Sequence, residues 1–361
     1  MTQWILPNDR LWLETLAETD HDFYHLPCYV DLTAELDNGE PMAFYTELPT
    51  GRLLIPLLIR DIPSDVCPNT SFLDATSPYG FPGPLFSKSI SVRDAIKGIK
   101  RFIEFGRDNG LVTTFLRLHP FLSAKIWTVF SHDYRRIKIV SNGATVSIDL
   151  TLSVSELNNR LRRNHRQNIN RLYNKGFTVL IDDWSTYPEF IDIYHETMRR
   201  RGAAKYYFFE KNYFLRLKQC LGDKLHICSI LSPEGELAGG GLIVKTDDVA
   251  QAHLSATADK YRALAPSKLM FYAARNWAKS QGARIFHLGG GVGGGIDSLY
   301  QFKRGLGTQE HLFKTIGIIH DLSAYNSVYQ NWLHTKKPAV YADTMFFPFY
   351  RRGSYDESNQ I

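Results

Sequence analysis

Apolar residues along the first 150 positions fall in short blocks of two periods. PMAFYTEL, RLLIPLLIR and TTFLRLHP have the length and β-branched or aromatic content of strands. VRDAIKGIKRFIEFGRDNG instead repeats its apolar residues at three- and four-residue spacing up to a glycine stop, which predicts an amphipathic helix. Between these elements lies SPYGFPGP, Ser77 to Pro84, whose prolines and glycines forbid helix and force a shaped loop. Two readings of Tyr79 stand at this point: a ligand contact, or a ring packed under a structural corner.

From Ser153 the period becomes helical again, with Ser155 as the expected cap and Leu157, Leu161, Ile169 and Leu172 lining one face. The other face carries Arg160, Arg162, Arg163, His165, Arg166 and Arg171 and ends at Lys175-Gly176. Next come helices FIDIYHETMRRRG and FFEKNYFLRLKQCLG, strands LHICSIL and LAGGGLIVK around the turn SPEGE, and strand DVAQAHLSAT. Helix SKLMFYAARNWAKSQG, strand ARIFHL and a glycine cluster follow. A hairpin, a third strand, a helix packed back and a fourth strand form an α/β layer arrangement and not a regularly wound nucleotide fold. The domain boundary is expected near residue 150, giving an amino-terminal domain over 1–150 and a carboxy-terminal domain with its tail over 151–361.

Length agrees with two domains, since 361 residues exceed what one ordinary core organises. The 44% hydrophobic and 22% charged shares are those of a folded globular chain, and no window reaches the roughly 18 apolar residues of a membrane span. A net charge of +5 is too small for a duplex-coating protein but suits phosphate-bearing small molecules. Cys28, Cys67, Cys220 and Cys228 lack CxxC spacing, so neither a zinc site nor a redox dithiol is expected. With no basic leader ahead of an apolar stretch at the start, the expected setting is reduced and cytoplasmic. Near the other end, MFFPFYRRGS is too short and proline-broken for stable membrane attachment and is expected to pack on the body.

Gly289 to Gly294 satisfies GxGxxG literally after a predicted strand. A dinucleotide cradle is rejected because the motif neither opens a long helix nor has an acidic residue at a ribose-binding offset. The blander meaning is a tightly turned loop whose backbone, at Gly290 and Gly291, approaches a bound substrate closely.

Beyond it, DSLYQFKRGLG over Asp297–Gly307 resembles the FemAB-like branch of the GNAT acyltransferase superfamily, whose closing segment reads Tyr before Phe-Lys-x-Gly-Phe. The resemblance is best over roughly 150–320. It implies an α/β fold of two tandem GNAT-like domains, each a mixed, mostly antiparallel sheet flanked by helices, with the catalytic domain second. It also implies that Lys303 is the cation beside the carbonyl under attack and Tyr300 the proton donor to a departing thiolate. The family's pyrophosphate-cradling turn falls on Arg262-Ala263-Leu264-Ala265-Pro266-Ser267, with Ala265 and Ser267 where glycines are usual and Lys268 adding charge. His253, in QAHLSAT, is the candidate base, against the alternative of a histidine packed in its strand. Arg199, in TMRRRG, matches a segment that approaches acceptor phosphates, against the alternative of cations complementing a helix end.

The resemblance implies an N-acyltransferase that passes an acyl group from an acyl-CoA thioester, without a metal, to a primary amine. The acceptor would be a small molecule or peptide of the envelope or of secondary metabolism, such as a nucleotide-linked amino sugar. The first alternative is an aminoacyltransferase fed by charged tRNA, which the cationic helix favours. The second is a noncatalytic binding module on the same fold.

Overall fold

The computed structural model describes residues 1–68, 71–122, 127–130, 135–336 and 346–351. The chain divides into two compact units: Met1–Asn142 with the described residues from Phe313 onward, and Gly143–Leu312. The tail past residue 312 is expected in the second domain. Residues past Phe313 instead group with the first unit, because a strand there pairs with an amino-terminal strand and the following segments pack beneath it.

In the first unit the elements are β1 (Thr2–Ile5), α1 (Arg10–Ala17), α2 (Pro27–Ala34), β2 (Glu40–Leu48), β3 (Gly51–Asp61), β4 (Leu73–Thr76), β5 (Leu85–Phe86), α3 (Val92–Asp108), β6 (Leu111–Arg117) and α4 (Trp127–Phe130). The strand β7 (Ile137–Asp149) leads out of it. The second unit holds α5 (Val154–Arg160), α6 (Arg163–Asn174), β8 (Thr178–Ile181), α7 (Tyr187–Arg201), α8 (Lys211–Leu221), β9 (Leu225–Leu231), β10 (Leu237–Thr246), β11 (Val249–Thr257), α9 (Ser267–Ser280), β12 (Ile285–Gly290) and α10 (Ser298–Arg304). The strand β13 (Gln309–Ile319) returns to the first unit, which ends with α11 (Leu322–Lys336) and a short turn of helix.

Strand order within the first unit is β1-β2-β3-β4-β6-β13, and within the second β8-β9-β10-β11-β12-β7. Each series is antiparallel apart from one parallel pair, β4 with β6 and β11 with β12, in the same position. Each parallel pair is joined through one long helix, α3 or α9, as parallel neighbours require. The two units therefore share one topology, a duplication with no visible repeat in the sequence.

Three successive glycines on β10 explain LAGGGLIVK. A Cβ at Gly240 would lie 3.1 Å from the Phe190 ring of α7, and one at Gly241 would lie 2.8 Å from Met270 Sδ of α9. Because successive strand residues face opposite sides, α7 and α9 cover opposite faces of the sheet, and the missing side chains let both helices approach.

The loop Ser77–Pro84 packs on aromatic residues of the first unit. Gly80, at φ +102°, lies flat against the Tyr24 ring, and Phe81 meets Tyr24 and His119 edge-on. Buried Asp22 anchors the arrangement, accepting from Phe23 N (2.7 Å) and lying 3.1 Å from His119 Nε2. At the carboxy-terminal end, Phe347 and Tyr350 are buried, with Tyr350 hydrogen-bonded to Thr113 (2.6 Å), so the described part of MFFPFYRRGS packs on the first unit. Met345 and Arg352–Ser354 lie outside the described residues.

Burial holds two histidines of this unit neutral. Desolvation takes His25 down to about 3 and His320 to about 4. Both folded values lie below the unfolded one near 6.5, so the unfolded chain takes up protons first on acidification. Stability is therefore full above about pH 6.5 and is expected to fall by roughly 1 kcal/mol per group for each pH unit towards pH 4. Melting curves at pH 7 and pH 5 check this; an unchanged midpoint contradicts it.

Candidate active site

The parallel ladder between β11 and β12 is short, running over Val249–Gln251 against Ile285–His287. Past it, β11 continues to Thr257 and β12 to Gly290. Both strands are irregular at this point. The β10 pairing steps from Leu254 to Ala252 and skips His253, and the β7 pairing steps from His287 to Gly289. Such bulges redirect side chains and end regular pairing, and they are frequent beside reactive sites. His253 is half-buried at this bulge, and Gln251, two residues earlier, holds His287 Nδ1.

The glycine loop follows β12. Gly289, Gly293 and Gly294 have positive φ (76°, 75° and 65°), a backbone that side chains resist. Asp297 fixes both ends of the turn: Oδ2 accepts from Val292 N (3.0 Å), and Oδ1 caps α10 by accepting from Tyr300 N (2.8 Å). Helix α10 then brings Lys303 back over the loop, where Nζ donates to the Gly290 carbonyl (2.7 Å). The lysine as a whole is half-buried, but desolvation of its ammonium lowers the pKa to about 8, with Asp297 opposing the shift. A mostly protonated ammonium with one fixed hydrogen bond is a suitable partner for a developing oxyanion.

Tyr300 has a different environment from the one expected. Its buried hydroxyl donates to Glu310, which also pairs with Arg304, and desolvation together with that carboxylate raises the phenol's pKa. A phenol whose O–H is committed to a carboxylate and whose pKa is raised is a poor proton donor to a thiolate, and its bond to Glu310 ties α10 to β13.

Below the lysine, Phe302 packs against Phe271 of α9 and against His165 of α6. Gly305 lies directly on the His165 ring, and its carbonyl accepts from Arg162 N (3.0 Å). That bond interrupts the single helix expected from Ser153 onward: Leu161 and Arg162 are extended, and α6 starts afresh at Arg163. The cap of α5 is Ser153, reciprocally bonded with Glu156, whereas Ser155 lies inside the helix.

The turn before α9 takes the shape a glycine would give it. Ala265 is left-handed (φ 51°), and Pro266 leads into the helix at Ser267. The substitution that the sequence shows here therefore keeps the backbone form. Asn168 of α6 secures the turn by donating to the Leu264 carbonyl (2.9 Å). Lys268 is half-buried, and its pKa is lowered first by desolvation and then by Arg171 and Arg162.

Beside this turn is an open cleft of about 730 Å³ lined by Glu196, Arg199, Arg200, Asp259 and Arg262. Asp259 pairs with Arg200, and its amide donates to Glu196 (3.1 Å). Arg200 also donates to Thr197 Oγ1 and to the Thr257 carbonyl. Arg199 and Arg262 are exposed, and among the described residues neither has an ion-pair partner. The structure thus brings Arg199 and Arg262 together, and separately Lys303, Gly290 and Gly291. Tyr79 belongs to the first unit, half-buried on its corner loop. Sequence reasoning missed Asp297, although its position three residues ahead of Tyr300 at a helix start is a capping signal, and missed Glu310, for which no local signal exists.

Residues 159–304 match the family model described as an acetyltransferase (GNAT) domain. No curated protein sequence matches this chain. Among solved structures, FemX is 13% identical, with 83% of this chain and 92% of FemX covered at a TM-score of 0.62. L-PGS from Bacillus licheniformis is 16% identical, covering 92% and 97% at 0.57. A conserved protein of unknown function from Bacteroides thetaiotaomicron is 14% identical, covering 88% and 100% at 0.57.

Proposed function

From a chain with a GNAT domain over 159–304 and a mixed α/β, FemX-like fold, we propose an acyltransferase that carries an acyl group from an acyl-CoA thioester to a primary amine. The acceptor in this reading is a small molecule or peptide amine of the envelope or of secondary metabolism. The observation that carries the reading is the desolvated Lys303 ammonium, held on the Gly290 carbonyl where β11 and β12 part company.

The carrier's pyrophosphate lies against the Ala265–Ser267 turn, where the first amides of α9 and the helix dipole favour an anion. Arg262 and Lys268 add charge there, and Arg199, expected on acceptor phosphates, shares the cleft with Arg262 and serves the carrier's phosphates in this reading. Its acyl carbonyl enters between β11 and β12, near Gly290 and Gly291. The amine, relieved of a proton by His253 or a water beside it, attacks the carbonyl carbon. Lys303 stabilises the oxyanion, and collapse expels the thiolate. No metal is required for any of these steps.

One observation favours a second donor. Arg163, Arg166 and Arg171 are exposed on α6 and Arg162 is exposed just ahead of it, and a cluster of cations of this kind also suits a polynucleotide carrier such as aminoacyl-tRNA. Free thiol released from acyl-CoA in the presence of amines supports the first reading; transfer from aminoacyl-tRNA that RNase abolishes supports the second. Replacing Arg199 and Arg262 singly by Ala is expected to raise the carrier's KM roughly tenfold each with kcat little changed, as loss of a charged hydrogen bond predicts. Unchanged KM values in initial-rate assays would remove the cleft from carrier binding.

A further inference from the structure

Lys303 is held by a loop, and that loop in turn needs a support. Its ammonium bonds the Gly290 carbonyl, and a Cβ at Gly289 would lie 3.2 Å from Nζ, so loop and lysine touch at consecutive residues. On the loop's other side runs β7. Gly143 has φ +90°, and a Cβ there would be driven into the Gly294 carbonyl; the next residue, Ala144, offers its own carbonyl 2.9 Å from where a Gly290 Cβ would lie. Two adjacent residues of β7 therefore brace the glycine loop at both of its arms. From Thr145 to Asp149, β7 pairs with β12, with the one step at Leu288 of β12, so the brace stands on a paired strand.

We propose that Gly143 and Ala144 are positioning residues for the transfer: β7 seats the glycine loop, and the seated loop fixes the Lys303 ammonium through the Gly290 carbonyl. The inference rests on the reading of Lys303 as the oxyanion partner. Gly143 is the critical point, because only a residue without Cβ fits both its backbone conformation and the Gly294 contact. Pushing the loop outward lengthens the bond to Gly290, admits water around the ammonium and lets the lysine leave its place. The α10 cap, Tyr300 N on Asp297 Oδ1, lies outside this contact, so α10 itself stays formed.

The test reads Lys303 directly, without relying on turnover. Competitive labelling of lysines with acetic anhydride as a function of pH, quantified by mass spectrometry, follows the ammonium of Lys303 in wild type and in Gly143→Ala. The expected wild-type midpoint is near 8, and the variant's is expected to move towards an ordinary lysine near 10. In parallel, kcat is expected to fall at least tenfold with donor KM unchanged. Should Gly143→Ala fail to fold, Gly290→Ala, whose Cβ would lie 2.9 Å from the Ala144 carbonyl, presses on the same brace from the loop's side and is expected to give the same shift. A Lys303 profile identical to wild type in the folded variant overturns the inference and leaves the catalytic reading intact. Undiminished transfer by Lys303→Met would instead sink the catalytic reading, whatever the labelling shows.

Discussion

Lys303→Met is expected to lower kcat by roughly 10² to 10³ while donor affinity stays within a few-fold of wild type, the signature of losing one fixed oxyanion partner. Met keeps a stem of similar length and loses the charge, so the helix and the loop should survive. The same group sets a pH limit. Desolvation puts its pKa near 8, and the cation is the active form, so wild-type kcat should decline as pH rises through about 8. Lys303→Arg, charged at every accessible pH, should lose that decline even if its longer fork lowers the rate. Pre-steady-state transfer measured from pH 6 to 10 distinguishes these outcomes; a wild-type rate still climbing at pH 10 contradicts a catalytic ammonium.

The largest expected effect on stability lies in the first unit. Asp74 of β4 is fully buried and bridges two arginines, accepting from Arg60 Nε of β3 (2.9 Å) and from Arg351 Nε of the carboxy-terminal segment (2.7 Å). Arg60 is itself buried, with Asp37 a further 3.8 Å contact, and Arg351 also donates to the Asp61 carbonyl. Asp74→Ala leaves a buried guanidinium without its main partner and is expected to cost about 3 to 5 kcal/mol. Folded domains have only about 5 to 15 kcal/mol in hand, so the first unit should melt far below wild type. Urea titrations followed by hydrogen exchange in β3 and β4 check this, and a midpoint within experimental error of wild type contradicts it. Arg351→Ala, which removes the more exposed partner, should cost less and should release the carboxy-terminal segment first.

Much of the fold is legible in the sequence because its elements carry strong periods. The α3 helix, the β9–β10 hairpin and α9 emerge near their expected bounds, and the glycines of β10 that look weak for a strand are explained by the two helices pressing on them. What the sequence hides is non-local. The break at Leu161–Arg162 depends on a carbonyl at Gly305, more than a hundred residues away, and the apolar period runs through it without a mark. The grouping of residues past Phe313 with the first unit depends on β13 pairing with β6, which no local pattern reports.

The site shows the same division. The segment Tyr300 to Leu306 and the turn at Ala265 are visible as local motifs, and they fold as a short capped helix and a left-handed turn into α9. The commitment of Tyr300 to Glu310, the Arg200–Asp259 pair and the bracing of the glycine loop by Gly143 are tertiary facts. An isolated glycine in a strand signals close backbone approach, but never to what.

One measurement bears most directly on the account: a crystal structure with an unreactive thioether analogue of an acyl-CoA. The account predicts phosphates between Arg199, Arg262 and the amides at Ser267, and the carbonyl oxygen within hydrogen-bond reach of Lys303 Nζ. An analogue seated elsewhere, with Nζ still bound only to the Gly290 carbonyl and remote from the acyl group, would contradict it.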